Sequence, residues 1–151
     1  MRPSAVVHTL RRLSPERRRW ALRAAWWVPL VRVGLWLLPY GRLHRLVHRG
    51  PAPSRRDAAG TAEVQRVRDV VWAVVAVSRR VPRATCLTQA LAAQRLLADV
   101  GVRAELRIGV ARDAGGAFEA HAWLEHEGRI VLGEVDGMER FTTLTGGGSS
   151  P

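Results

Sequence analysis

Up to about Ala98 the apolar residues of this chain recur at helical spacing, and from Leu106 onward they alternate, with Gly101 standing between the two regimes. Val64, Val67, Val70, Val71, Val74 and Val75 mark one face of a helix expected from about Ala62 to Arg80, which Pro82 ends. Leu87, Ala90, Leu91 and Leu97 mark a second helix that starts at Cys86 and is closed by Gly101, the residue type favoured just past a helix end. Beyond it Leu106, Ile108 and Val110 alternate with polar or small residues, "DAGG" can turn the chain, and "FEAHAWLEHEGRIVLGEV" reads as two more strands around Glu127-Gly128. Helices first and a small antiparallel sheet last define an α+β fold. At 151 residues the chain has material for one hydrophobic core, since two independent domains would each be marginal.

Ser14 and Pro15 form an N-cap and first-turn pair, so a helix is expected to begin there. The run from Trp20 to Leu38 is about as long as a membrane span but holds Arg23, Arg32 and Pro29. Each central arginine would cost roughly 2.5 to 3.5 kcal/mol to insert, which favours a kinked pair of helices packed on the domain over a span. Interfacial membrane contact is the next reading. The expected organisation is an N-terminal extension over 1–13, a helical part over 14–48, a loop over 49–60, a core over 61–144 and a disordered tail over 145–151.

All 24 basic residues are arginine, and the net charge is +11. Such a charge attracts acidic partners, anionic membrane or nucleic acid at long range. With no recognition helix, RNA-binding signature or strand platform of aromatics among the arginines, a nucleic-acid partner is not expected. One cysteine rules out an internal disulfide framework and a cysteine-based zinc site. No glycine-rich phosphate loop is present, and His44 and His48 lack a third metal ligand, so neither cofactor nor metal is expected. No secretory signal is recognisable, and the expected location is the cytoplasm, with peripheral contact at the membrane as the alternative.

Cys86 is placed where a loop turns into a helix, and the positive end of the helix dipole together with Arg79, Arg80 and Arg83 favours a thiolate there. Nucleophilic catalysis then requires a base and a group that orients it. His121 is the candidate base because it lies within a strand, whereas His8 is in an unpatterned end and His126 at a hairpin tip. With Glu127-Gly128 as a two-residue turn, His126 faces Arg129, and a straight ladder sets Glu134 opposite His121. Glu134 is thus the candidate acid and Asp136 its alternative, on the same face. The competing account makes Cys86 a small core residue and His121 an ordinary hydrogen-bonded strand residue.

"P-x3-CLTQALAAQRLLADVGVRAELRIGV" followed by "AHAWLEHEGRIVLGE" resembles the lasso peptide leader peptidases, the transglutaminase-like cysteine protease half of the lasso B protein. The N-terminal "LSPERRRWALRAAWWVPLVRVGLWLLP" is similar to the helical lead-in of that family. The resemblance implies a transglutaminase-like, papain-like cysteine protease core with N-terminal helices packed near the sheet, Cys86 as nucleophile and His121 as base. The family's acid is usually an aspartate near Gly133, a place where this chain has glycine followed by Glu134.

The activity so implied is removal of the leader from a ribosomally made lasso precursor peptide before a separate ATP-dependent cyclase closes the macrolactam. The implied partners are the precursor, a separate leader-recognition protein and the cyclase. Two other functions compete with it: another transglutaminase-like amidase or transpeptidase, and a noncatalytic basic module that binds anionic membrane or nucleic acid.

Overall fold

A computed structural model describes residues 14–47, 60–112 and 115–144. The expected N-terminal extension and tail, the expected loop apart from Gly60, His8, His48, and Asp113 and Ala114 of the expected turn lie outside the described residues. Helix α1 spans Pro15–Leu37, and the Ser14 hydroxyl caps it by accepting from the Arg17 backbone N–H at 3.3 Å. It continues through Pro29 and breaks at Leu38-Pro39, where Leu38 takes the extended conformation that a following proline imposes. The expected pair of helices is thus divided at Leu38-Pro39. The short helix α2, Tyr40–Val47, folds back and buries Leu43 and Val47. Gly34 permits this corner, because a Cβ there would lie 2.7 Å from Leu43 Cδ1.

Helix α3, Thr61–Ser78, buries Val67, Val70, Ala73 and Val74, whereas Val71 and Val75 of the anticipated valine face are half-buried and Val64 is exposed. Asp69 is buried on the same helix and accepts from Arg17 Nε at 2.9 Å and from Gln65 Nε2 at 3.1 Å, which ties α3 to α1. Helix α4, Cys86–Ala98, is covered almost all round by α1, α3 and the sheet, with Leu91, Leu96 and Leu97 fully buried. Its end is fixed by Gly101 at φ 76, which lets the Val102 N–H return to the Leu97 carbonyl at 3.0 Å. No helix among the described residues is long and apolar enough to cross a membrane.

Strands β1 (Glu105–Arg112), β2 (Phe118–His126), β3 (Arg129–Leu132) and β4 (Thr142–Thr143) form one antiparallel sheet in the order β3-β2-β1-β4. The two-residue turn at Glu127-Gly128 has positive φ at both positions, 50 and 72, and places His126 opposite Arg129 as expected. The ladder then departs from a straight register: Glu125 faces Ile130 but Leu124 faces Leu132, so Val131 is an extra residue in β3. One face of the sheet, with Leu106, Ile108, Ala122 and Leu124, joins the helical core. The other carries a separate small cluster of Ala111, Trp123 and Phe141, bordered by Ile130 and Met138.

Candidate active site

Cys86 is the first residue of α4, half-buried against the helical core, and its thiol is free. Its place follows from the residues around it. Thr85 and Thr88 make a reciprocal capping box, with Thr88 N–H to Thr85 Oγ1 at 3.3 Å and Thr85 N–H to Thr88 Oγ1 at 3.4 Å. The preceding turn is tight, with Arg83 at φ 57, a left-handed conformation that costs a residue with a side chain roughly 1 to 2 kcal/mol. The cap occupies the N–H of Thr88 and the helix itself that of Gln89, whereas the N–H groups of Cys86 and Leu87 have no acceptor among the described residues. Two unengaged donors at the positive end of a helix suit an oxygen that gains negative charge.

His121 lies in β2 opposite Gly109 and is half-buried. Its ring is stacked on Trp123, 6.2 Å between centroids and 18° between planes, with Phe141 tilted against it at 5.6 Å. Gly109 makes room for these rings, since a Cβ there would come within 2.9 Å of Trp123 Cη2 and 3.1 Å of Phe141 Cβ. His121 Nε2 is 2.7 Å from the carbonyl oxygen of Gly133. A carbonyl can only accept, so Nε2 carries the hydrogen, and in the neutral imidazole Nδ1, with no partner among the described residues, would hold the lone pair.

The position of that carbonyl depends on the bulge and on glycine. Gly133 has φ 88, and a Cβ would stand 2.9 Å from the Ala122 carbonyl oxygen and 3.0 Å from Trp123 Cα. The straight register that set Glu134 across from His121 is thus corrected: β3 gains a residue at Val131, its pairing ends at Leu132, and the chain presents a main-chain oxygen to the imidazole. Glu134 and Asp136 are both exposed, and neither makes a hydrogen bond or ion pair to His121.

Cys86 and His121 are not hydrogen-bonded to each other. The thiol packs with the helix side of the molecule, and the imidazole stacks on Trp123, whose cluster occupies the other face of the sheet. Trp123 was legible as a neighbour from its i, i+2 spacing to His121 in a strand, but no sequence signal identified Phe141 or the Gly133 carbonyl.

His126 stands apart from this site and does more than cap a hairpin. Its Nδ1 is 2.7 Å from the Arg103 carbonyl and its Nε2 is 2.9 Å from Glu63 Oε1, so it links β2 to α3. Glu63, His126 and Glu127 bring three ligand-type atoms within 4.8 Å of one another, the one such group among the described residues. A groove of about 770 Å³ runs beside it between α3 and the hairpin, floored by Val67, Val71, Trp72 and Val131, and includes neither Cys86 nor His121. His44 lies against Tyr40, 5.5 Å between ring centroids.

A helical layer on one face of a four-stranded antiparallel sheet, with a cysteine opening the central helix and a histidine on the neighbouring strand, defines the class: an α+β domain with the parts of a thiol site. The family model described as the transglutaminase-like superfamily matches residues 27–146, and the chain belongs to that superfamily. Its fold is often that of cysteine proteases and transglutaminases. No curated protein and no solved structure gives a significant match.

Proposed function

We propose that this chain is a cysteine peptidase that removes the leader of a ribosomally synthesised lasso precursor peptide, with Cys86 as nucleophile and His121 as base. The observation that carries the reading is the anchoring of His121: Nε2–H is engaged by the Gly133 carbonyl and Nδ1 is left as the basic nitrogen. Superfamily membership and the position of Cys86 at a helix N-terminus support it. The substrate class rests on the resemblance of the Cys86 and His121 segments to lasso leader peptidases, which also implies delivery of the leader by a separate recognition protein and transfer of the core peptide to an ATP-dependent cyclase.

In the free protein the thiol and the imidazole lie on opposite faces of the sheet and do not touch, so this mechanism requires that peptide binding rearrange β2 and the Gly133 contact until the two come within hydrogen-bond reach. Nδ1 takes the thiol proton, the thiolate adds to the scissile carbonyl, and the N–H groups of Cys86 and Leu87 receive the oxyanion. The imidazolium gives its proton to the leaving amine, which departs as the new N-terminus of the core peptide. Water, deprotonated by Nδ1, adds to the thioester, and collapse releases the leader carboxylate and the thiol. In the free protein the Gly133 carbonyl, rather than a side-chain acid, orients the ring, and neither Glu134 nor Asp136 contacts it.

The test is mass spectrometry of the cognate precursor incubated with its recognition protein and either the wild-type chain or Cys86→Ala, under reducing conditions. Release of the leader by wild type alone supports the peptidase. Equal release by both removes Cys86 as nucleophile, and release by neither favours a different amide substrate or the noncatalytic basic module.

A further inference from the structure

Helix α1 is apolar on two opposite sides. Its inner face, Ala21, Ala24, Val28 and Val31, is buried against α3 and α4. At 100° per residue, Leu22, Val33, Trp26, Leu37 and Leu30 fall within an arc of about 80° directly opposite that face. All five are exposed, Trp26 at 69% and Leu37 at 75%, and Trp36 at the margin of the stripe is exposed at 68%. The stripe is about 22 Å long at 1.5 Å per residue. A helix apolar on both sides is built to be covered on both sides, and nothing among the described residues covers the outer one.

We infer that this outer stripe docks on an anionic lipid surface. Its borders say what it meets. Arg18, Arg19 and Arg23 are exposed around its N-terminal end, Arg42 and Arg45 lie exposed beyond its C-terminal end on α2, and Glu16 is the only carboxylate on either helix. Within the stripe, from Leu22 to Leu37, no side chain on the arc carries a hydrogen-bonding group other than the Trp26 indole. A protein partner would need polar contacts to fix its register, whereas a headgroup layer requires only apolar insertion, indoles at the boundary and cations around them. The stripe faces away from the core, as a ridge able to enter the boundary between headgroups and acyl chains. The helix does not cross the bilayer, and the contact is peripheral.

The test is co-sedimentation of the full chain with vesicles of phosphatidylcholine alone and of phosphatidylcholine with phosphatidylglycerol, at low and high salt. Trp26→Ser/Leu30→Ser serves as the variant, with circular dichroism as the check on folding. Binding to the anionic vesicles alone is expected, weakened by salt, and the variant reduces partitioning by about tenfold or more. Three results overturn the inference: no binding to anionic vesicles, binding that the double variant leaves unchanged, and a concentration-dependent dimer, dissolved by the variant, in a chain that ignores vesicles. The last would assign the stripe to a second copy. Leader release by the variant in vesicle-free buffer remains at the wild-type rate, so this outcome is separable from that of the peptidase assay.

Discussion

On the helix side of the sheet Leu106, Ile108, Ala122 and Leu124 press against the core, while on the far side Gly109, Trp123 and Phe141 surround the imidazole of His121. The first face is filled by side-chain volume. The second is shaped by two missing side chains, because Gly109 admits the rings and Gly133 admits its own carbonyl. In the middle of β2, Ala122 and Leu124 join the helical core while His121 and Trp123 face the second cluster. Substitutions on the two faces should separate stability from activity.

The largest expected effect is on the far face. His121→Ala should lower leader cleavage by roughly 100- to 10,000-fold, the usual contribution of a positioned base, with a melting temperature close to wild type. Leu124→Ala, one of the fully buried positions on the near face, should do the reverse. It should cost about 2 to 5 kcal/mol of stability in denaturant titration, with cleavage per folded molecule little changed. A His121→Ala protein that unfolds as readily as Leu124→Ala would show the far face to be ordinary core and remove the distinction.

Gly133→Ala sharpens the comparison because it acts on both properties. An added Cβ meets the Ala122 carbonyl oxygen at 2.9 Å in a left-handed backbone, so the strand must shift and the carbonyl with it. The expected result is a stability loss above about 1 kcal/mol, together with a fall of about 100-fold in kcat from a misplaced imidazole. Nitrogen NMR of the His121 ring distinguishes positioning from general damage: the wild type should show the Nε2–H tautomer, and the variant a mixture of the two.

Much of this arrangement could be read from the residues. The valine face of α3, the start of α4 at Cys86, its Gly101 closure and the Glu127-Gly128 turn all follow from local spacing and backbone preference, which nearby residues determine. The register that set Glu134 opposite His121 did not, because register is cumulative. One residue inserted at Val131 moves every later pairing, and the bulge follows from how β3 packs and from the left-handed Gly133, which no periodicity reports. Likewise β4 is two residues long and gains its place by pairing Val110 with Thr142, a contact between distant segments. The outer stripe of α1 was visible only as excess hydrophobicity around Arg23 and Arg32, since a helix apolar on both sides has no preferred face in its sequence.

The smallest expected effects test the far face most closely. Glu134→Gln and Asp136→Asn remove the charge of the two carboxylates nearest in sequence to the Gly133 carbonyl while preserving their shape. Both side chains are exposed and neither contacts His121, so each variant should stay within about threefold of wild-type kcat, the range of an exposed substitution. An acid that oriented and charge-stabilised the imidazole would instead cost roughly 10,000-fold when converted to its amide. A loss of that size in either variant would mean that, when the chain rearranges on binding its peptide, the carboxylate displaces the main-chain oxygen at Nε2. Retained activity in both, alongside a damaged Gly133→Ala, would assign the orienting role to a backbone carbonyl that only glycine can present.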